Sequence, residues 1–137
     1  MTPYEIKLRY EKVDKDGRDK KVSELYVLDA QSFTEAEAKI TDQMLPYISG
    51  DYEIKNIRKA NYAEVHISGN GAFYYRVKIA MLTMTDSGKI KTTAMFMLID
   101  ADDVSHAYSK AEMLMKGTVS DWKIVSVSET NIIEVFV

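Results

Sequence analysis

Cysteine is absent from the 137-residue chain, which excludes disulfides, thiolate metal sites and thiol catalysis together. The fold does not need a crosslink, because a chain of this length buries roughly two thirds of its unfolded surface. Histidine is scarce, with two residues, and so is proline, with two. No serine, histidine and aspartate set is legible from position, and no nucleophile elbow is present. No apolar run approaches a membrane span; the longest, Ala94 to Ile99, is far short of about 20 residues. No basic-then-apolar leader opens the chain, so the expectation is a soluble cytoplasmic protein. An excess of positive charge is also missing. Eighteen basic against 21 acidic residues leave a net charge of −3, and duplex nucleic acid calls for a clustered basic face.

The chain does contain a repeat. Tyr4-Glu5-Ile6-Lys7-Leu8 returns as Tyr75-Arg76-Val77-Lys78-Ile79, and Asp29-Ala30 returns as Asp100-Ala101. Asp51-Tyr52-Glu53-Ile54 returns as Asp121-Trp122-Lys123-Ile124, and Asn61, Glu64 and Val65 return as Asn131, Glu134 and Val135. A period of roughly 70 residues is long enough for a complete supersecondary unit.

Each copy reads as β-β-α-β. Tyr4, Ile6, Leu8 and Tyr10 alternate with Glu5, Lys7, Arg9 and Glu11, a period of two with one wet face. Asp14-Lys15-Asp16-Gly17 turns the chain into a second strand through Leu25 and Val27. Ser32-Phe33-Thr34-Glu35 is a capping box, and Phe33, Ala36, Ile40 and Met44 form the apolar stripe of a helix that ends near Pro46. A third strand runs from Tyr52 to Ile67, bending near Asn61. The second copy repeats this order, with a turn at Asp86-Ser87-Gly88, Asp103 as the helix cap, Gly117 at the helix exit and a last strand region from Trp122 to Val137. The fold class is α+β: a tandem β-β-α-β repeat with pseudo-twofold symmetry, mainly antiparallel sheet, and two helices. One domain holds both units, residues 1–67 and 72–137, joined by Ser68-Gly69-Asn70-Gly71. A right-handed crossover sets the strand order 2-1-3 in each unit. One sheet, two sheets or a partly closed barrel all satisfy the pattern.

The copies differ on the outer face of the hairpin, where Arg9, Glu11 and Glu24 become Ala80, Leu82 and Met95. Copy two is apolar on both faces, and six of the eight methionines lie there or on the second helix: Met81, Met84, Met95, Met97, Met113 and Met115. Three readings account for this. The chain itself covers the extra face; or Ala80, Leu82, Met95 and Met97 form a homodimer or partner interface; or they line a pocket for an apolar small molecule between the copies.

Among polar candidates, the repeated Asn61, Glu64 and Asn131, Glu134 read either as a symmetric pair of sites or as bends followed by solvent-facing carboxylates. His66 occupies the place of Phe136, and His106 lies in the first turn of the second helix. Asp100-Ala101-Asp102-Asp103 is explained by the positive end of that helix and lacks calcium-loop spacing, as does Asp14-Lys15-Asp16-Gly17. No catalytic residue, metal or cofactor is assigned. Tyr4, Tyr10 and Tyr26 near a lysine-rich hairpin allow single-strand stacking, which the interleaved acids disfavour.

Finally, the run Asp29-Ala30-Gln31-Ser32-Phe33-Thr34-Glu35-Ala36-Glu37-Ala38 is distinctive. Together with Pro46-Tyr47-Ile48-Ser49-Gly50, Met115-Lys116-Gly117-Thr118, Asp121 and Ser128-Glu129-Thr130-Asn131, it resembles an uncharacterised domain-of-unknown-function family of short proteins from anaerobic gut bacteria. The resemblance spans the chain and implies a stand-alone cytoplasmic protein, with no activity or site residues attached. The function expected is a non-enzymatic protein-binding or assembly module acting as a homodimer or with another protein. The alternative is a small-molecule-binding module with its apolar pocket between the repeats.

Overall fold

The structure is a computed structural model and describes residues 2–48 and 50–136. Its elements are β1 (Thr2–Val13), β2 (Asp19–Ala30), α1 (Phe33–Met44), β3 (Tyr52–Lys59), β4 (Glu64–His66), β5 (Phe73–Met84), β6 (Ile90–Ala101), α2 (Val104–Met115), β7 (Asp121–Glu129) and β8 (Ile132–Phe136). The fold is α+β, and its described strands form two four-stranded sheets, ordered β3-β1-β2-β8 and β4-β6-β5-β7. The 2-1-3 order is present in both, as β2-β1-β3 and as β6-β5-β7.

The third strand of each copy departs from its sequence reading. β3 stops at Lys59, and β4 begins at Glu64 in the other sheet. Ala60 N still donates to Pro3 O at 2.9 Å, whereas Ala63 N donates to Phe96 O at 2.8 Å, so the pairing partner changes within three residues. At the second break, Thr130 N donates to Tyr74 O, and the chain then pairs Ile132 with Leu25. Asn61 and Asn131 sit at these two exchanges. Alternation identifies which face a residue takes and not which strand it joins, so one long strand and two short ones look alike in sequence. Val137, the expected end of the last strand, lies outside the described residues, as does Ser49. The chain consequently divides into two compact units that differ from the sequence repeat. The first comprises residues up to Ala60 with those from Asn131 onward, and the second runs Asn61–Thr130.

In the first unit, Tyr4, Ile6 and Leu8 face Tyr26, Leu28 and Ala30 on the side of the sheet that meets Ala36, Ile40 and Met44 of α1. Small residues at Ala30 and Ala36 let the helix approach closely. Ser32 Oγ accepts from Glu35 N at 3.1 Å, which satisfies one free amide of the first turn, and Pro46 follows the Leu45 cap. The hairpin turn is closed by Asp14, whose Oδ1 accepts from the amides of Asp16 and Arg18 at 2.9 Å, with Gly17 at φ +77.

The second unit repeats this plan with Val77, Ile79, Met97 and Ile99 against Ala111 and Met115, and with Tyr75 and Ala101 against Ala107. Asp103 caps α2 by accepting from His106 N at 2.7 Å, and Gly117 leaves the helix at φ +84. The positions Tyr10, Glu24 and Tyr26 of the first unit are Met81, Met95 and Met97 in the second.

Ile40 is fully buried and Val119 fully exposed. Ile40→Ala is expected to lower unfolding stability by about 2–5 kcal/mol, through lost burial and the cavity left behind. Val119→Ala should stay within about 0.5 kcal/mol. Urea denaturation of both variants checks the assignment; equal effects would contradict it.

Candidate functional site

Four strands about 4.8 Å apart span some 14 Å between the outer axes, before side chains are added, and one helix with its side chains is about 10–12 Å across. One helix therefore leaves a strip of sheet uncovered. In the first unit α1 packs mainly over β2, beside β8. In the second, α2 lies across β7, β6 and β5, and the β4 edge extends beyond it. The bare strip of the second unit becomes a groove of about 480 Å³ between α2 and the β4–β6 edge. His66 and Ile99, paired across β4 and β6, lie on one side, and Lys110, Met113 and Leu114 of α2 on the other. Its surface is mostly apolar.

The polar end of the groove is closed by Asp100, the one buried charged residue among those described, at 1% exposure. Its carboxylate accepts from the amides of Ser68 at 2.9 Å, Gly69 at 2.9 Å and Gly71 at 3.1 Å, and from the Ser68 hydroxyl at 3.0 Å. Burial opposes ionisation of this carboxyl, but the converging donors outweigh it and hold the group down at about 2. Lys110 Nζ donates to Asp100 O at 2.6 Å, Ser68 Oγ at 2.9 Å and Asn70 Oδ1 at 3.1 Å. The segment Ser68–Gly71, read from sequence as a linker, is thus a clamp. Gly71 is dictated by it, since a Cβ there would stand 2.3 Å from Ala101 N. The acidic cluster is also divided in its work. Asp103 caps the helix, Asp102 Oδ1 accepts from Ala72 N at 3.1 Å, and Asp100 anchors the clamp. Of the three, only Asp103 caps the end of the helix.

The repeat shows that the apolar rim is particular to the second unit. Met113 and Leu114 correspond to Asp42 and Gln43, and His66 corresponds to Phe136. Phe136 stacks on Tyr26 at 5.8 Å between ring centroids, filling its own position. His66, at the same position of the repeat, lines the groove. Its Nε2 is shielded from solvent, lies 3.4 Å from Glu64 Oε2 and makes no hydrogen bond among the described residues. Lys39, at the position of Lys110, donates to Asp29 O at 2.9 Å and pairs with Glu35 at 2.9 Å. The apolar rim is legible in the sequence as Met113-Leu114 against Asp42-Gln43.

The four apolar candidates do not form one patch. Met97 is fully buried and Met95 packs beside it in the helix-side core, opposite Val77 and Ile79. Ala80, 7% exposed, and the half-buried Leu82 lie on the other face of β5. Alternation from the sequence puts Glu24 with Arg9 and Glu11 on the outer face, but its register partner is Leu8, on the helix side. There it accepts from the Tyr26 hydroxyl at 3.1 Å and from the Tyr10 hydroxyl. Burial first, then the Glu24 carboxylate, pushes the Tyr10 phenol up to about 12 and raises that of Tyr26 as well. Tyr4 and Tyr26 are 1% and 4% exposed, so neither ring is a stacking platform for single strands. Asn61 and Glu64 belong to the second unit and Asn131 and Glu134 to the first; all four are exposed. His106 Nδ1 accepts from Asp102 N at 3.1 Å and so serves the helix cap. Among the described residues no group of three histidine or carboxylate side chains is arranged to hold a metal ion. Among the described residues no helix is long and apolar enough to cross a membrane.

Because the Asp100 carboxyl titrates at about 2 when folded and at 3.8 when not, folding is favoured by its ionisation. That contribution, on the order of 2 kcal/mol, is complete above the unfolded value and is lost as pH falls through the folded one. Urea midpoints measured from pH 5 downward should drop across this window in the wild type. Asp100→Asn should be less stable by about 2–3 kcal/mol near neutral pH and show a flatter acid limb.

No curated protein and no solved structure matches the chain. The profile of the family described as Domain of unknown function (DUF4494) matches residues 2–137, and the chain belongs to that family.

Proposed function

We propose that the protein is a non-enzymatic assembly module of the cytoplasm that pairs with a second copy of itself through the groove beside α2. The observation that carries this reading is the apolar rim. Met113 is 66% exposed and Leu114 40% exposed, on a helix flank that is polar in the first unit. A twofold interface needs a projecting group and a receiving hollow on the same surface, and here Met113 and Leu114 rise beside the groove. Methionine side chains adapt to such contacts. The polar groups at the end of the groove are spent on one another through Lys110, Ser68 and Asp100, which suits a positioning role more than proton transfer.

The volume also lies within the range of small-molecule sites, about 300–1,000 Å³. This supports the second reading, an apolar ligand, with the groove as its candidate pocket. The groove is open along its length, and a small molecule there would keep more of its surface wet than the 10–30% such sites usually leave.

Sedimentation equilibrium separates the readings. The wild type is expected to be dimeric, and the double variant Met113→Lys, Leu114→Lys monomeric with an unchanged urea midpoint. A wild type that stays monomeric at its solubility limit overturns self-association. A monomer carrying a bound apolar molecule in native mass spectra of unstripped protein would establish the second reading in its place.

A further inference from the structure

We infer that the outer face of the second unit's sheet carries an anion site, built by Arg76 and Lys78 of β5 with Ser126 and Ser128 of β7, and that its ligand presents a phosphoryl group. The register places Arg76 opposite Ser128 and Lys78 opposite Ser126, so two cations and two hydroxyls share one face. With Phe96 they line a hollow of about 240 Å³. That is room for a phosphoryl group and several waters, at about 30 Å³ for each water.

The electrostatics are unbalanced in a way the first unit avoids. The Arg76 guanidinium carbon lies 4.1 Å from the centroid of the Phe96 ring, and Lys78 Nζ lies 5.9 Å from the same centroid. Two like charges converge on one ring, and among the described residues neither has an ion pair. The ring face offsets part of this and fixes the guanidinium plane without consuming any of its N–H donors. In the first unit the corresponding positions are Glu5, Lys7, Asn56 and Arg58, and Arg58 pairs with Glu5 at 2.7 Å. The second unit replaces that internal pair by arginine facing serine, which leaves the neutralising anion to come from outside.

Donor number selects the ligand class. A guanidinium edge, an ammonium and two hydroxyls offer more donors than the roughly four lone pairs of a carboxylate can accept, whereas a phosphoryl group brings three acceptor oxygens and greater charge.

The test is titration of the full-length protein with inorganic phosphate at constant ionic strength, followed by amide chemical shifts. Saturable shifts confined to residues around Arg76, Lys78, Ser126 and Ser128 are expected. Arg76→Gln should weaken the apparent affinity at least about tenfold, since it removes charge-assisted hydrogen bonds. Lys7→Gln, at the place in the first unit that corresponds to Lys78, should leave it unchanged. Both substitutions lie at solvent-accessible positions, and unchanged spectra away from the site verify that the variants fold. Shifts spread over every lysine-bearing surface, or an affinity that Arg76→Gln does not alter, would overturn the assignment.

Discussion

A single helix laid across a four-stranded sheet leaves a strip of its inner face to be covered by something else, and the two units meet this constraint differently. In the first, α1 sits toward β2, Phe136 stacks on Tyr26 at the β8 edge, and Ile48 packs against the core beyond the helix end. In the second, α2 spans β7, β5 and β6, and the β4 edge beyond it receives a histidine. The groove is the consequence. Its depth follows from helix and sheet dimensions, and its apolar character from two helix residues, Met113 and Leu114.

The polar clusters follow the same logic of unit against unit. Glu24 lies near the end of the helix-side face and is held by the hydroxyls of Tyr10 and Tyr26; the second unit fills those positions with Met81, Met95 and Met97. Asp100 is buried and clamped by four donors from Ser68, Gly69 and Gly71, while Asp29 offers its backbone oxygen to Lys39 and stays half-exposed. On the outer face the first unit neutralises Glu5 with Arg58, and the second leaves Arg76 and Lys78 uncompensated. In each case a shared backbone register carries different chemistry. A duplicated sheet permits this because a side chain can change while the ladder beneath it stays paired.

Much of this was legible in the chain. The hairpins, the Ser32 and Asp103 caps, the helix stripes and the 2-1-3 order follow from alternation, capping chemistry and crossover geometry. The site was less legible. Met95 and Met97 looked like surface because Glu24 was placed on the wet face, and one residue of register moves a side chain to the other side of the sheet. Ser68–Gly71 looked like a linker because its glycines signal freedom; Gly71 in fact signals the close approach of another backbone.

The sequence by itself determined the elements, their faces and the existence of two copies, since periodicity and caps are local properties. Only the tertiary structure decided that Glu64–His66 joins β6 and that Ile132–Phe136 joins β2, because strand pairing depends on hydrogen bonds between distant backbones that any side-chain pattern permits. It likewise decided that α2 leaves the β4 edge uncovered and opens a groove, since where a helix settles on a sheet depends on how all its contacts pack at once.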